Sequence, residues 1–288
     1  MMTIRTGYNR VDRVKSLATK IALHAVLILG CIIFLYPFLF MFLGSFKDTS
    51  EIFSVHPTFF PREGFKLTNY KTLLEVTKFG RAVLNSSIVS STYTALTLLF
   101  CSMGGFGFSK YRFPGRNALF FLMLATMMLP FQAIVVPLFV ITAKLGWANT
   151  YYPLIVPFLA NPFGIFLMRQ YMNSIPDELV DAGRIDGCSD FGLYYRIIVP
   201  VSRPALTVLG LILFMSSWNN FMWPLIVLSE DRMFTVPLAL TKLVGLHREI
   251  QYGPILAGSF LGASILIILF LAFQRQFVEG IMSGAIKG

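Results

Sequence analysis

Six long intervals without a charged side chain, 21–46, 82–109, 117–143, 145–168, 204–229 and 250–274, decide what this chain can become. Each runs about 24 to 28 residues, and an α-helix of roughly 20 residues already crosses a hydrocarbon core of about 30 Å. Apolar character is continuous within each interval, which argues against a β-barrel, whose strands of about ten residues alternate between lipid and lumen. It argues equally against buried helices of a soluble protein, which keep a polar face. Only 13% of the 288 residues are charged and 56% are hydrophobic, with a mean hydropathy of +0.69. A chain this apolar needs lipid around it. The expected fold is therefore all-α and integral to a membrane, with six transmembrane helices.

The first interval is too long for a cleaved signal peptide and lacks a small-residue cleavage pattern, so it is read as the first span. Orientation follows from basic residues in short loops. Arg5, Arg10, Arg13, Lys15 and Lys20 lie in the N-terminal tail, and the turn "SKYRFPGR" holds Lys110, Arg112 and Arg116. Both are expected in the cytoplasm. Six crossings then put the C-terminal tail and the 177–204 loop on that same side. The net charge of +10 reflects this topology and anionic lipid, and no nucleic acid is needed to explain it. Cys31 and Cys101 fall in spans and Cys188 in a loop, which suggests neither a disulfide framework nor a metal site.

One segment concentrates the charge that the rest avoids. "DELVDAGRIDGCSDFGLYYRIIVPVSRPAL", residues 177–206, carries five carboxylates, three arginines and an Asp-Gly turn. Its spacing predicts two short helices. Ser174 is placed to cap the first, entered through Pro176 with Asp177 and Glu178 in its first turn, and Asp186-Gly187 ends it. Ser189 caps the second, which carries Phe191, Tyr194, Tyr195 and Ile198 along one side until Pro200 stops it. The result is a helix hairpin at the cytoplasmic face.

Asp181-Ala182-Gly183, then Gly187, then Ile197-x-Val199-Pro200 resembles the cytoplasmic loop of ATP-binding-cassette importer permeases. The longer run "IPDELVDAGRIDG…IIVPVSRPAL" is similar to the carbohydrate version, in particular the second permease of maltose-type transporters. "LYPFLFMFLGSFK", "LNSSIVSS", "KYRFPGR", "WNNFMWPL" and "QRQFVEGIMSGAIKG" extend the resemblance over nearly the whole chain. Two positions depart from the pattern: Asp181 stands where the family usually has Glu, and Gly183 replaces the second Ala.

The resemblance implies the type I importer permease fold, six transmembrane helices with a cytoplasmic coupling hairpin. It implies a tail over 1–20, a first helix over 21–46, an extracytoplasmic loop over 47–81, a transmembrane domain over 82–275 with its coupling loop at 173–204, and a C-terminal tail over 276–288. Asp181, Ala182, Gly183, Asp186, Gly187, Ile197 and Pro200 would dock into a cleft on a cytoplasmic ATPase. Gly284 and Lys287 in the tail would also reach that ATPase, the alternative being a disordered end. Implied partners are a homologous second permease, two ATP-binding subunits and an extracytoplasmic solute-binding protein, in the cytoplasmic membrane of a bacterium. ATP and magnesium would belong to the ATPase, and this chain would bind no cofactor of its own.

No GxxxxGK[ST] phosphate loop occurs, and "GIMSGAIKG" places Lys287 next to the terminal Gly288 with no helix to follow. His24, His56 and His247 form no catalytic or metal constellation, so an enzyme is not expected. For the substrate path the densest polar group inside a span is Ser216, Ser217, Trp218, Asn219 and Asn220, which suits either a sugar pathway or hydrogen-bonded helix packing. Asn85, Gln132 and Asn161 read as packing groups or helix ends. Pro130, Pro137, Pro153, Pro157 and Pro162 are expected to bend or break the third and fourth spans. The expected function is inward transport of a saccharide. Competing readings are a permease for another solute such as glycerol phosphate, a stand-alone secondary transporter, and a membrane scaffold. A secondary transporter would carry an ionisable residue well inside a span for ion coupling, and none lies there.

Overall fold

A computed structural model describes residues 5–56, 58–245 and 250–285, with side chains described for 17–56, 58–244 and 250–276. All regular structure among them is helical. The chain divides into two compact units, one formed by residues 1–71 with 251–260 and the other by 72–250 with 261–288.

The first unit contains α1 (Arg5–Gly44) and the short α2 (Thr49–Ile52). Large apolar side chains along α1, Leu17, Ile21, Val26, Ile33 and Phe34 among them, stay exposed, as lipid or a neighbouring helix requires. At the end of α1 the structure becomes specific. Phe42 packs on Phe46 and Phe260, with ring centroids 5.3 and 5.0 Å apart, and the Asn69 amide donates to the carbonyls of Ser45 and Lys47, both at 2.9 Å.

The second unit is organised around α4 (Phe79–Lys110), which follows α3 (Thr68–Thr77). Its buried residues recur about every four positions: Ser86, Ser90, Tyr93, Thr97, Cys101 and Gly105. That is one helical face, and it is built from small and hydroxylated residues. Such a face lets helices approach closely where lipid removes the usual hydrophobic drive. Two further helices lie along it, α8 (Pro162–Met172) and α12 (Arg203–Trp218). Ser90 donates to Ser217 across 3.2 Å. The Asn85 amide binds the carbonyls of Arg232 and Phe234 at 2.9 Å each and accepts from the Tyr151 hydroxyl at 2.7 Å, so it is a packing group, as its sequence context suggests.

Among the described residues three single helices are long and apolar enough to cross a membrane, over 17–44, 79–110 and 252–276, the last belonging to α16 (Tyr252–Ala285). The third and fourth apolar intervals are bent pairs. The third consists of α5 (Arg116–Thr126) and α6 (Phe131–Lys144), 95° apart, and the fourth of a segment over 152–158 and α8, 44° apart. That segment is α7 (Tyr152–Ile155) with a 3-10 turn, Val156–Phe158. Proline begins several arms: Pro130 caps α6, while Pro153 and Pro162 open α7 and α8, where the missing N–H costs nothing. Pro137 lies inside α6 without ending it.

The fifth interval is also interrupted. α12 ends at Trp218, and the chain resumes after Asn219-Asn220-Phe221 as α13 (Met222–Val227). Trp223 holds this second arm, donating to the Pro153 carbonyl at 2.8 Å and meeting Phe131 and Phe158 edge-on.

Candidate functional site: a hairpin and a cavity on the same three helices

The charged loop folds as two helices, α9 (Asp177–Ile185) and a second beginning with α10 (Asp190–Leu193). Pro176, Asp177 and Glu178 open α9 as the sequence predicts, but Ser174 does not cap it. Its hydroxyl turns back to the Tyr171 carbonyl at 2.7 Å and closes the end of α8. Asp177 is held instead by Lys110, whose ammonium lies 2.6 Å from the carboxylate and 2.5 Å from the Ile175 carbonyl. The Lys110 side chain is only 3% exposed, so the end of α4 is pinned to the start of the hairpin. Hydrogen bonding and charge from Lys110 hold the Asp177 carboxyl below the usual range. Nearby Tyr111 is pushed up to about 12, chiefly by burial and then by Asp190, so it stays a neutral phenol.

α9 ends in a Schellman turn. Cys188 N–H reaches the Gly183 carbonyl at 2.9 Å and Gly187 N–H reaches Arg184 at 3.0 Å, with Gly187 at φ +76°, the left-handed conformation that favours glycine. Ser189 caps the second helix, accepting from Gly192 N–H at 3.2 Å. Gly183 faces inward: a Cβ there would lie 2.5 Å from Leu193 Cδ2 and 2.7 Å from Ile197 Cδ1. The close approach that Gly183 permits is thus to its own hairpin partner. Asp181, Ala182, Asp186 and Gly187 are exposed, whereas Gly183 is buried and Ile197 half-buried.

Two expectations for the second helix are corrected. It continues through Pro200, as a π turn, Tyr194–Ile198, followed by α11 (Val199–Val201). The wider turn immediately upstream accommodates a residue with neither an N–H nor room for the carbonyl four positions back. A bend of 79° at Ser202, before Pro204, then starts α12. The aromatic residues also divide between two faces. Phe191 and Tyr195 are 67% and 68% exposed, whereas Tyr194 and Ile198 are buried, and the Tyr194 hydroxyl pairs with Ser102 of α4 at 2.7 Å. Ile185, at 86% exposure, is a third large apolar side chain that the hairpin leaves outward.

At the other end of α8 and α12, beside the middle of α4, lies a cavity of about 550 Å³. All three broken spans meet there at their breaks. Thr126, Met127 and Leu129 come from the third, Phe158, Ala160 and Asn161 from the fourth, and Ser216, Ser217 and Asn220 from the fifth, while Tyr93 of α4 completes the wall. No lining side chain is charged. Asn161 caps α8, its Oδ1 accepting from Gly164 N–H at 2.8 Å, which is the helix-end role expected of it. Asn220, one residue before the α13 N-cap Phe221, accepts from Trp223 N–H at 3.4 Å.

The expectation that Asn219 and Asn220 lie within a helical span is therefore corrected. They form the break. Asn219 is exposed and folds its amide back on the Met215 carbonyl at 2.9 Å, away from the cavity wall. Trp218 is buried and stacked on Phe214, ring centroids 5.7 Å apart, and it does not line the cavity. Tyr93 was not singled out by sequence, since one tyrosine in an apolar span carries no pattern. Gly284 lies in the last turns of α16, and Lys287 and His247 lie outside the described residues. Among the described residues no three His, Cys, Asp or Glu side chains converge as metal ligands.

Residues 97–281 match the family model described as binding-protein-dependent transport system inner membrane component. The chain is 35% identical over 271 residues to the arabinooligosaccharides transport system permease protein AraQ of Bacillus subtilis, covering 93% of this chain and 96% of the relative. It is 33% identical to the lactose transport system permease protein LacG of Rhizobium radiobacter, with 92% and 95% covered. Among solved structures, a bacterial ABC transporter involved in the import of the acidic polysaccharide alginate matches with a TM-score of 0.75 at 22% identity, over 93% of this chain and 98% of that one.

Proposed function

Since this chain belongs to the family of binding-protein-dependent transport system inner membrane components, we propose that it is one permease subunit of an ATP-driven importer that moves a saccharide inward by alternating access. The observation that carries this reading is the sharing of helices: α4, α8 and α12 run from the hairpin to the cavity. Near one end of these helices lies a docking surface, and further along them an uncharged chamber of mixed polar and apolar lining where three spans are already broken. Such a chamber suits a sugar, which has many hydroxyls and an apolar ring face. Carbohydrates named for the relatives, arabinooligosaccharides and lactose, support the same substrate class.

In this reading Ile185, Asp186, Gly187, Phe191 and Tyr195 meet the ATPase, with Asp181 and Ala182 at the border. Gly183, Ile197 and Pro200 shape the hairpin from inside. Tyr93, Asn161, Ser217 and Asn220 line the sugar path, and Gly284 and Lys287 belong to a tail that touches the ATPase. Partners are a second permease that closes the chamber, two ATPases that bind ATP and magnesium, and an extracytoplasmic binding protein. Both termini and the hairpin face the cytoplasm.

The test is reconstitution of the assembled importer in vesicles with its binding protein, after calorimetry has identified that protein's ligand from a panel of neutral and acidic saccharides. ATP supplied on the hairpin side should drive uptake of the ligand, and Asn220→Ala should change competition among sugars. Uptake driven by an ion gradient without ATP would reject the assignment in favour of a secondary transporter.

A further inference from the structure

A second hollow, about 470 Å³, opens between α4, α12 and α16. Its walls are apolar: Leu98, Leu206, Phe214, Leu269 and Phe273 line it, and Arg203 and Gln276 stand at one end. Arg203 is exposed, and no Asp or Glu lines the groove. Among the described residues no carboxylate pairs with its guanidinium. An apolar trough that ends in an exposed cation has the amphipathic layout of a phospholipid.

We propose that this groove holds one acyl chain of an anionic phospholipid, with the headgroup phosphate on Arg203. Length supports the match. Arg203 to Phe214 along α12 rises about 16 Å at 1.5 Å per residue, close to half of a hydrocarbon core of about 30 Å. The groove is thus one leaflet deep. A helix of the partner permease, about 10–12 Å across, would need a trough running through both leaflets. The charge fits as well: Arg203 directly follows the coupling hairpin, and a basic residue between helices on the cytoplasmic side recruits anionic headgroups. Only this leaflet assignment rests on the topology proposed above, and the binding chemistry does not. Guanidinium and phosphate suit each other because the fork of N–H donors matches two phosphate oxygens.

The experiment uses the assembled importer in phosphatidylcholine vesicles doped with a photoreactive-acyl phosphatidylglycerol or, separately, the matching phosphatidylcholine probe. After illumination, labelled peptides are mapped by mass spectrometry. Segments 206–214 and 269–273 should be labelled about fivefold more by the anionic probe. Arg203→Glu should abolish that preference and Arg203→Lys should largely retain it, with ATP-driven uptake reporting assembly separately. Equal labelling by both probes, or a preference that survives Arg203→Glu, would overturn the proposal. So would absence of labelling in these segments together with disulfide capture of a Leu269→Cys variant by the partner permease, because protein would then cover the groove.

Discussion

Replacing Gly183 by Ala puts two opposing effects inside one hairpin. Alanine is the better helix former by about 1 kcal/mol. Against this, its Cβ would stand 2.5 Å from Leu193 Cδ2 and 2.7 Å from Ile197 Cδ1, closer than unbonded carbons approach. Both atoms end flexible side chains, yet Leu193 is fully buried and has little room to retreat. Overpacking of this kind costs about 1–3 kcal/mol, so the net effect of Gly183→Ala should be a loss of roughly 0–2 kcal/mol.

The sharper quantity is the coupling with Leu193. Leu193→Ala alone should cost about 2–5 kcal/mol, since it empties a buried site, and the hairpin lies outside the apolar spans, where values from soluble proteins apply. In the double variant the new methyl enters the space that leucine vacated. The two effects should then fall short of additivity by about 0.5–3 kcal/mol. Thermal unfolding of the four purified forms in one detergent gives the cycle, and uptake per ATP hydrolysed in vesicles shows whether helix spacing also governs coupling. Additive shifts would refute the claim that Gly183 exists to let α9 sit on Leu193.

Gly187→Ala meets open space but keeps a left-handed φ of +76°, so it should cost about 1–2 kcal/mol in melting experiments, and Gly187→Asn should cost less. Lys110 holds the folded Asp177 pKa below its unfolded value. Its contribution to stability is therefore complete above the ordinary carboxylate range and lost as pH falls through the lowered value; a melting profile from neutral to acid pH should show that loss, and Asp177→Asn should flatten it. Asn161→Ala removes the cap of α8 and should cost about 1 kcal/mol while altering sugar competition, whereas Asn219→Ala should leave competition unchanged. Cys188, half-buried at the hairpin turn, should resist an impermeant thiol reagent applied outside intact cells that lack Cys31 and Cys101; strong labelling would reverse the proposed orientation.

Sequence alone carried the number of apolar crossings because a span is written as an absence of charge over about 20 residues. It carried the two-helix hairpin because Pro176, Gly187 and Ser189 act locally. Breaks inside the spans were only partly legible. Pro130 and Pro162 mark real ones, yet Pro137 sits within a helix and the 219–221 break has no proline or glycine. Its cue was Asn219-Asn220, two residues whose side chains compete for backbone partners, and that cue reads equally well as a polar patch on a continuous helix. Facing was the least legible. Tyr194 and Tyr195 are adjacent in sequence, but one is buried against Ser102 and the other exposed, a division set by where α4 lies. The same is true of Tyr93, whose place in the cavity depends on three breaks from distant parts of the chain.

The position of those breaks bears on how a cytoplasmic motion could reach a sugar. α12 begins at the bend after the hairpin and ends at Trp218, 16 residues later, a rod of about 24 Å. Tilting such a rod by about 10° carries its far end by about 4 Å, enough to move a wall of the chamber. A continuous fifth span would pass that displacement on to the outer surface and resist it along its whole length. Here the rod stops where Asn219 and Asn220 take over the hydrogen bonds of the interrupted helix. The arm beyond is held separately, by Trp223 on Pro153 and by Asn149, which accepts from Ser229 N–H at 2.6 Å and Glu230 N–H at 3.1 Å. Under the proposed function the break therefore acts as a joint: the inner arm follows the hairpin while the outer arm stays with its own anchors. The chamber lies at that joint, so its wall combines residues that would follow the hairpin, Ser216 and Ser217, with residues of other spans held by separate anchors.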